Sequence, residues 1–148
     1  EKTFEYIDTP HKFKMGVSGC PRSCVESGVK DFGIISVENG FQIYIGGNGG
    51  TEVEKAEFLT TVETEDEVIK LCGALMQYYR ETGIYAERTA PWLRRLGFEN
   101  VKEVLLNPER QNELFERIMD AKKAVEAEPW EAITSNAQAR KIFEVEKV

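Results

Sequence analysis

Cysteine is scarce in this chain, which excludes one whole class of small folds. The 148 residues contain three cysteines, an odd number that is too small for a disulfide framework. In a reducing compartment such cysteines are expected to be free thiols or metal ligands. The three cysteines are therefore the first residues to examine for metal or redox chemistry.

Two further features are missing, an excess of positive charge and a long apolar run. The net charge is −7 and the pI is near 4.9, which argues against broad binding to nucleic acid or anionic membranes. Apolar stretches such as residues 32–37 are far shorter than the ~20 residues that cross a bilayer, and no secretory leader opens the chain. We expect a cytoplasmic protein with neither nucleic acid nor membrane as a partner, in which any anion site is local.

Glycine is almost absent from the second half of the chain. Nine of the twelve glycines fall within the first fifty residues, and only Gly97 lies beyond Ile84. This shift predicts strands and loops at the front and helices at the back. The predicted fold is a single α+β domain, in which a small mixed or antiparallel sheet with a β-hairpin is packed by helices and followed by a helical C-terminal extension.

Residue periodicity predicts the strands. Residues 11–17 alternate with period two, so Phe13, Met15 and Val17 should share a buried face and Lys12 and Lys14 the opposite one. The runs 32–37 and 41–45 are joined by Asn39-Gly40, a pair that supplies the positive φ angles of a tight hairpin turn. Residues 56–62 predict one more short strand.

Capping residues predict the helices. Thr64 and Glu67 have the spacing of a capping box, and apolar residues then recur with a helical period as far as Gly83. Asn107-Pro108 is a second helix start, with apolar residues on one face as far as Val125. Shorter helices are predicted over residues 89–96, 100–106 and 135–143.

Cys20 and Cys24 form the sharpest local feature, within the run Gly19-Cys20-Pro21-Arg22-Ser23-Cys24. Pro21 fits the first position of a helix, which would put both cysteines near the positive end of a helix dipole that favours thiolate. Two thiolates spaced in this way could serve zinc, copper(I) or part of an iron–sulfur cube. Two free thiols in a turn remain an alternative reading of the same pattern.

A zinc site is the second metal alternative. His11 and Cys72 would complete a Cys3His set with Cys20 and Cys24. Cys72, however, lies in phase with the apolar residues of the first predicted helix, where cysteine is more often a small core residue. The sequence therefore favours Cys20 and Cys24 as the metal ligands and Cys72 as part of the core.

Basic residues and glycines surround the cysteine pair in sequence. Lys12 and Lys14 should project from one strand face, a suitable arrangement for a multiply charged anion, and residues 11–30 carry a local excess of positive charge. The Gly-rich run 46–50 matches no Walker or dinucleotide fingerprint, which disfavours nucleotide binding. Its backbone amides could instead line the carboxylates of a large anionic macrocycle.

In their order along the chain, these elements resemble the siroheme-binding half of the nitrite and sulfite reductase family. The specific part of the resemblance is the run Val17-Ser18-Gly19-Cys20-Pro21-Arg22-Ser23-Cys24 with the loop Gly46-Gly47-Asn48-Gly49-Gly50. The helical continuation is similar to the C-terminal end of the large subunit of NAD(P)H-dependent assimilatory nitrite reductases. Residues 1–148 are then expected to be the C-terminal part of a siroheme and 4Fe-4S domain, with cofactor-binding strands and loops in 1–63 and a helical part in 64–148.

The resemblance implies a role for each candidate residue. Cys20 would ligate a four-iron cluster, and Cys24 would bridge that cluster to the siroheme iron. Lys12 and Lys14, the implied catalytic residues, and Arg22 would hold the siroheme carboxylates and the nitrite or sulfite anion. Gly47 and Asn48 of the Gly-rich loop are the remaining implied contacts of siroheme.

One departure from the family pattern limits what this chain can do. The family supplies two further ligands from a C-x5-C element, and this sequence contains none. The resemblance therefore implies a fragment of a nitrite-to-ammonia reductase that is inactive alone. FAD and NAD(P)H would bind upstream domains of the same polypeptide, and a small reductase subunit is a further implied partner. A sulfite reductase fragment, a zinc-binding or interaction module and a thiol–disulfide protein are the alternatives.

Overall fold

The computed structural model describes residues 2–126, 134–136 and 138. These residues form short strands followed by helices, as the distribution of glycine predicts. The strands are β1 (Met15–Ser18), β2 (Phe32–Val37), β3 (Gly40–Ile45), β4 (Asn48–Gly49), β5 (Val53–Glu54) and β6 (Glu57–Val62), and the helices are α1 (Glu65–Thr82), α2 (Thr89–Leu96), α3 (Phe98–Leu106) and α4 (Pro108–Glu126).

The main sheet is mixed and has four strands in the order β1-β2-β3-β6. Strand β1 is parallel to β2, whereas the pairs β2–β3 and β3–β6 are antiparallel. Side chains alternate between the faces, so Phe32 and Ile34 of β2 lie beside Ile45 and Ile43 of β3 on the face that packs against the helices. The predicted α+β fold with a small mixed sheet is confirmed, and β4 and β5 form a separate two-stranded sheet.

The predicted hairpin is confirmed, but its turn differs from the prediction. Strand β3 already begins at Gly40, which pairs with Val37, so Glu38 and Asn39 are the two central turn residues. Gly40 has a φ of +128°, whereas Asn39 does not have a positive φ. Glycine is required at position 40 because a Cβ there would lie 2.2 Å from the carbonyl oxygen of Val62 in the neighbouring strand β6.

Helix α1 forms the other wall of the core. Its capping box is present as predicted, with the Thr64 hydroxyl accepting from the Glu67 N–H and the Glu67 carboxylate accepting from the Thr64 N–H. The helix then presents one apolar face to the sheet, and Leu71, Leu75 and Tyr79 on that face are almost completely buried. The core lies between the sheet and α1.

The three later helices cover the outer side of α1 and the end of the core. Helix α2 matches its predicted bounds, and α3 begins at Phe98, two residues before its predicted start. The Asn107 side chain caps α4 by accepting from the N–H groups of Glu109 and Arg110. Val125 was predicted to be on the apolar face of α4 but is exposed, because the buried contacts of this helix are made earlier, at Leu114 and Ile118.

The helical prediction for residues 135–143 falls mostly outside the described residues. Among those that are described, no helix is both long enough and apolar enough to span a membrane.

The lysine-bearing strand is shorter than predicted. Strand β1 begins only at Met15, so Lys12 and Lys14 precede it, and Val17 is 58% exposed rather than buried. Strand β1 is the edge of the sheet, and within the described chain nothing covers Val17 there. The buried positions are Gly16 and Ser18, on the opposite face.

Candidate functional site

The two cysteines of interest lie on the crossover that joins the parallel strands β1 and β2. Cys20 and Cys24 are both exposed and both free thiols. A connection between parallel strands usually contains a helix, but here the chain makes successive turns that lead into a short 3-10 helix at Ser27–Val29. The fold thus presents both thiols to solvent at one edge of the sheet.

The helix predicted to start at Pro21 is absent. Instead, the Ser23 N–H donates to the Cys20 carbonyl and the Glu26 N–H to the Ser23 carbonyl, so the chain turns tightly twice. Ser23 and Glu26 have φ angles of 50° and 56°, which a continuous right-handed helix does not allow. The predicted helix dipole therefore does not act on the two thiols.

Buried hydroxyl groups anchor the cysteine loop, residues 19–26, to the sheet. Ser27 is fully buried, and its hydroxyl lies 2.8 Å from that of Ser18 and donates to the Gly16 carbonyl at 3.1 Å. Gly33 of β2 allows this approach, because a Cβ there would lie 2.0 Å from the Ser27 carbonyl oxygen. The loop is thereby fixed at its C-terminal end, a few residues after Cys24.

The third cysteine belongs to the core, as the helical period predicts. Cys72 is buried on α1, and its thiol donates to the Met15 sulfur at 3.6 Å. Burial raises the pKa of the Cys72 thiol to about 12, which disfavours the thiolate that a metal requires. His11 accepts the backbone N–H of Lys12 through Nδ1 instead of joining the cysteines.

The positions of the three cysteines and His11 determine which kind of metal site these residues fit. Across the described part of the chain, no three potential ligands among His, Cys, Asp and Glu come together, which argues against the Cys3His zinc alternative. Cys20 and Cys24 fit half of the four-thiolate set of a 4Fe-4S cluster. The sequence has only one other cysteine, and this one is buried, so the described residues offer two of the four thiolates of such a cluster.

Unpaired cations lie beside the cysteine loop in sequence. Lys12, Lys14 and Arg22 are exposed, and within residues 2–126 none of them has an ion pair or a side-chain hydrogen bond. Lys30, in contrast, lies 3.7 Å from Glu26, and its side chain crosses strand β1 at Gly16. The predicted local positive charge is therefore carried by three free side chains, while that of Lys30 is largely offset.

The Gly-rich run 46–50 closes against the segment that follows the cysteine loop. The Gly46 N–H donates to the Asp31 carbonyl at 3.0 Å and the Gly47 N–H to the Lys30 carbonyl at 2.9 Å. Gly46 has a φ of +74°, and a Cβ on Gly47 would lie 2.6 Å from the Lys30 carbonyl oxygen. These two glycines are thus required by the fold itself, and the Asn48 side chain donates to the Glu52 carbonyl at 2.7 Å.

Sequence reasoning missed a buried polar cluster behind the lysines. Asp31 is fully buried, and its carboxylate accepts the backbone N–H of Lys14 at 2.8 Å. Arg88 donates to both carboxylate oxygens, at 3.0 and 2.9 Å, and the Thr89 hydroxyl donates to one of them. Arg88 Nε is buried without an acceptor among the described residues. We call Asp31, Arg88 and Thr89 the Asp31 cluster.

Only a weak sequence signal pointed to this cluster. Asp31 directly precedes the apolar run of β2, a position where a buried carboxylate needs a partner. Its partners are 57 and 58 residues away along the chain. No local pattern brings them together, because their contact depends on how α2 docks beside the sheet.

An apolar groove of about 430 Å³ lies between β1 and α1, next to the cysteine loop. Its floor contains core residues of β2, and its rim includes three apolar side chains that are between 36% and 58% exposed, Val17, Val25 and Ile69. Val25 immediately follows Cys24 in the sequence, so the rim of the groove continues into the loop that carries the two exposed cysteines. Exposed apolar surface of this kind is typical of a face that packs against another element.

Comparison with known proteins identifies relatives of this chain. It is 46% identical over 145 residues to "Nitrite reductase [NAD(P)H]" of Bacillus subtilis (strain 168), with 97% of this chain and 18% of that protein covered. It is 37% identical over 145 residues to "Nitrite reductase (NADH) large subunit" of Escherichia coli (strain K12), with 95% of this chain and 17% of that protein covered. The chain therefore spans less than a fifth of the length of these two relatives.

A relative with another named substrate matches more distantly. "Sulfite reductase, assimilatory-type" of Nitratidesulfovibrio vulgaris is 31% identical over 104 residues, which cover 69% of this chain and 48% of that protein. The sequence model of the family described as "Nitrite and sulphite reductase 4Fe-4S domain" matches residues 1–113, which include the cysteine loop, the lysines and the Asp31 cluster. The chain therefore belongs to the nitrite and sulphite reductase 4Fe-4S domain family.

Proposed function

We propose that this chain is the C-terminal part of an NAD(P)H-dependent nitrite reductase, in which it supplies half of the ligands of a 4Fe-4S cluster coupled to siroheme. The observation that carries the proposal is the exposed pair Cys20 and Cys24 on the β1–β2 crossover of a chain from a 4Fe-4S family. The free cations Lys12, Lys14 and Arg22 nearby in sequence support it, because an anionic substrate and an anionic macrocycle both need positive charge.

Each residue has a chemical role in this proposal. The thiolates of Cys20 and Cys24 would hold the cluster, and Cys24 would also be a ligand of the siroheme. When bound, the coupled cofactors supply the electrons that reduce nitrite to ammonia. Lys12 and Lys14 would bind the substrate oxygens and donate protons as oxygen leaves as water. Arg22 would bind siroheme carboxylates. Gly47 and Asn48 would shape the loop beside them, because the Gly47 N–H already donates to the Lys30 carbonyl and the Asn48 side chain to the Glu52 carbonyl.

The rest of the polypeptide completes the site. The missing thiolates, FAD and the NAD(P)H site belong to the part of the protein that precedes this chain, and a small reductase subunit is a further proposed partner. The groove rimmed by Val17, Val25 and Ile69 gives the preceding part a surface against which to pack, immediately beside Cys24. The isolated chain is therefore expected to be inactive and to hold neither cofactor stably.

Nitrite is the preferred substrate over sulfite. Two relatives named as nitrite reductases are 46% and 37% identical over nearly the whole chain, whereas the relative named as a sulfite reductase is 31% identical over a shorter span. Comparison of kcat/KM for the two anions in the complete enzyme tests this choice, and a higher value for sulfite would reverse it.

The decisive test is Cys24→Ser in the complete protein, expressed with siroheme supply. We expect the unsubstituted protein to show siroheme absorption and four non-haem irons per chain, about the content of one cubane cluster. Cys24→Ser should lose or strongly change both signals, because it removes the bridging sulfur. The matched control is Cys72→Ala, which removes the buried thiol and should retain both cofactors.

Two outcomes would refute the proposal. A colourless or zinc-containing unsubstituted protein would leave a binding module as the better reading. Equal cofactor content in Cys24→Ser and the unsubstituted protein would show that the cluster is held elsewhere.

A further inference from the structure

The buried carboxylate of Asp31 connects two segments that the proposed function places around the substrate and the siroheme. We propose that Asp31 is a positioning residue, which holds the backbone of Lys14 so that its ammonium group faces the anion, and that Arg88 and Thr89 fix Asp31 in turn. This inference rests on the proposed function and adds residues that lie behind the proposed site.

Asp31 bonds to the backbone of Lys14 and not to its side chain. Asp31 accepts the backbone N–H of Lys14 at 2.8 Å and makes no contact with the Lys14 ammonium group. Lys14 immediately precedes β1, and the regular pairing of β1 with β2 begins only at Met15. Two hydrogen bonds therefore order the backbone at Lys14. One is the bond to Asp31, and the other runs from the Phe32 N–H to the Lys14 carbonyl at 3.1 Å. Asp31 therefore fixes where the Lys14 side chain starts and leaves its charge free.

The charge of Asp31 is balanced by Arg88. Arg88 donates to both oxygens of Asp31, and the Asp31 side chain is 0% exposed and that of Arg88 only 15% exposed. The buried pair is neutral as a unit, so Asp31 does not reduce the positive charge of Lys12 and Lys14 as an exposed, unpaired carboxylate would. The Asp31 carboxylate can therefore accept the Lys14 N–H without strongly repelling an anion bound at the lysines.

Asp31 is also bonded to the Gly-rich run 46–50. The Asp31 carbonyl accepts the Gly46 N–H at 3.0 Å, and the neighbouring Lys30 carbonyl accepts that of Gly47. Asp31 therefore bonds through its side chain to the lysine segment and through its backbone to the loop. A shift of this residue would displace both segments together.

Stability alone is a poor explanation for the Asp31 cluster. Burying an ion pair has a desolvation penalty that often cancels its attraction, and apolar residues of equal volume are commonly as stabilising. The cluster also leaves Arg88 Nε buried without an acceptor in the described chain, which adds to that penalty. What the cluster does provide is a fixed geometry, since Asp31 accepts from three separate groups.

The test uses the complete reductase with its cofactors and three substitutions. Asp31→Asn removes the charge and one acceptor, Thr89→Val removes only the buried hydroxyl donor, and Thr89→Ser restores that donor. The control is Glu81→Gln, which breaks the surface pair between Glu81 of α1 and Arg117 of α4 and removes no bond of the Asp31 cluster. Siroheme and iron content, KM and kcat for nitrite, and hydrogen exchange at the Lys14 amide are measured for each protein.

We expect Asp31→Asn to raise the KM for nitrite at least about tenfold, because small misplacements of binding groups have effects of this size or larger. Thr89→Val should raise it in the same direction by a smaller factor, and Thr89→Ser and Glu81→Gln should leave it near the unsubstituted value. Siroheme content should stay within about twofold of normal in all of them, and exchange at the Lys14 amide should be faster in Asp31→Asn and Thr89→Val.

The outcomes separate positioning from a merely structural role. A merely structural role would lower cofactor content and kcat by the same factor. If the enzyme that keeps its cofactors then has an unchanged KM for nitrite and an unchanged exchange rate at the Lys14 amide, the inference is overturned. If Asp31→Asn does not fold, Thr89→Val and Thr89→Ser decide the question, and equal KM values in those two would overturn it. An unsubstituted enzyme without nitrite reductase activity would refute the proposed function, whereas the exchange measurement would still show whether the Asp31 cluster orders Lys14.

Discussion

At the residue scale, the environment gives three chemically identical cysteines two different properties. Cys20 and Cys24 are exposed on a loop, whereas Cys72 is buried against Met15 and the pKa of its thiol is raised to about 12 by burial. The thiolate is the reactive and metal-binding form of cysteine. The difference between a ligand and a core residue in this chain is therefore a difference in solvation.

This difference predicts the stoichiometry of thiol labelling. Burial keeps the Cys72 thiol in its protonated, unreactive form and also blocks access of the reagent. In the folded, metal-free chain, an aromatic disulfide reagent should therefore label two thiols rapidly and the third only after a denaturant is added. Mass spectrometry should locate the slow site at Cys72.

One labelling result would contradict this prediction. Rapid labelling of three thiols in the folded chain would show that Cys72 is accessible, and the Cys3His zinc alternative would regain support. The variant Cys72→Ala is the control, since it should lose only the slow phase.

At the scale of elements, Glu87 ties the end of α1 to α2. Its carboxylate accepts from Arg95 on α2 at 2.8 and 2.6 Å and from the Ile84 N–H at 3.0 Å. Its carbonyl accepts the Tyr79 hydroxyl from α1, and that hydroxyl stays protonated because burial, with the nearby charge of Asp31, raises the pKa of Tyr79 to about 12. This junction sets where α2 begins, and with it the position of Arg88 and Thr89.

The junction predicts a pH-dependent contribution to stability. The hydrogen bonds from Arg95 lower the pKa of the Glu87 carboxyl in the folded state. A carboxyl whose pKa is lower in the folded state stabilises the fold at pH values above its unfolded pKa of about 4.3. This stabilisation is lost as the pH falls through the folded pKa. Glu87→Gln should therefore lower the thermal midpoint at pH 7, and the difference from the unsubstituted chain should shrink below about pH 4.

Thermal melts of the two proteins between pH 7 and pH 2 test this prediction. Glu116→Gln, which changes an exposed glutamate in the middle of α4 without an ion pair in the described chain, should melt like the unsubstituted protein throughout. A difference between Glu87→Gln and the unsubstituted chain that persists undiminished at pH 2 would show that the Glu87 carboxylate does not act through its charge.

At the scale of the whole molecule, α4 closes the fold by packing along α1. Its buried residues Leu114 and Ile118 join the core, and the partly buried Phe115 contacts Gly73, where a Cβ would lie 2.7 Å from the Phe115 ring. The Lys122 ammonium group donates to the Glu5 carbonyl at 2.9 Å and so connects the end of α4 to the start of the chain. The helical extension is therefore part of the same core as the sheet.

This packing predicts that truncating Ile118 destabilises the entire fold. Ile118 is 0% exposed, so Ile118→Ala should lower the free energy of unfolding by about 2–5 kcal/mol and Ile118→Val by about 0.5–1.5 kcal/mol. Val125→Ala, on the same helix but exposed, should change it by less than about 0.5 kcal/mol. Chemical denaturation followed by circular dichroism measures all three.

A single transition in every variant is expected if α4 belongs to the common core. Separate unfolding of the helices and the sheet in Ile118→Ala, or no loss of stability, would show that α4 is an independent attachment.

Elements whose signals are local could be predicted from the amino-acid sequence alone. The capping box at Thr64, the Asn107 cap, the bounds of α2 and the hairpin all depend on residues a few positions apart, and each was predicted within about two residues. The cysteine pair and the core position of Cys72 were also readable, because spacing and helical phase are properties of a short segment.

Tertiary structure decided what depends on distant neighbours. Val17 has the right period for a buried strand but is exposed, because β1 is an edge that no other element of the described chain covers. The loop after Pro21 forms no helix, because buried contacts of Ser27 with β1 fix its far end. The Asp31 cluster joins residues 57 and 58 positions apart, and no local pattern encodes that contact because it exists only once α2 has docked beside the sheet.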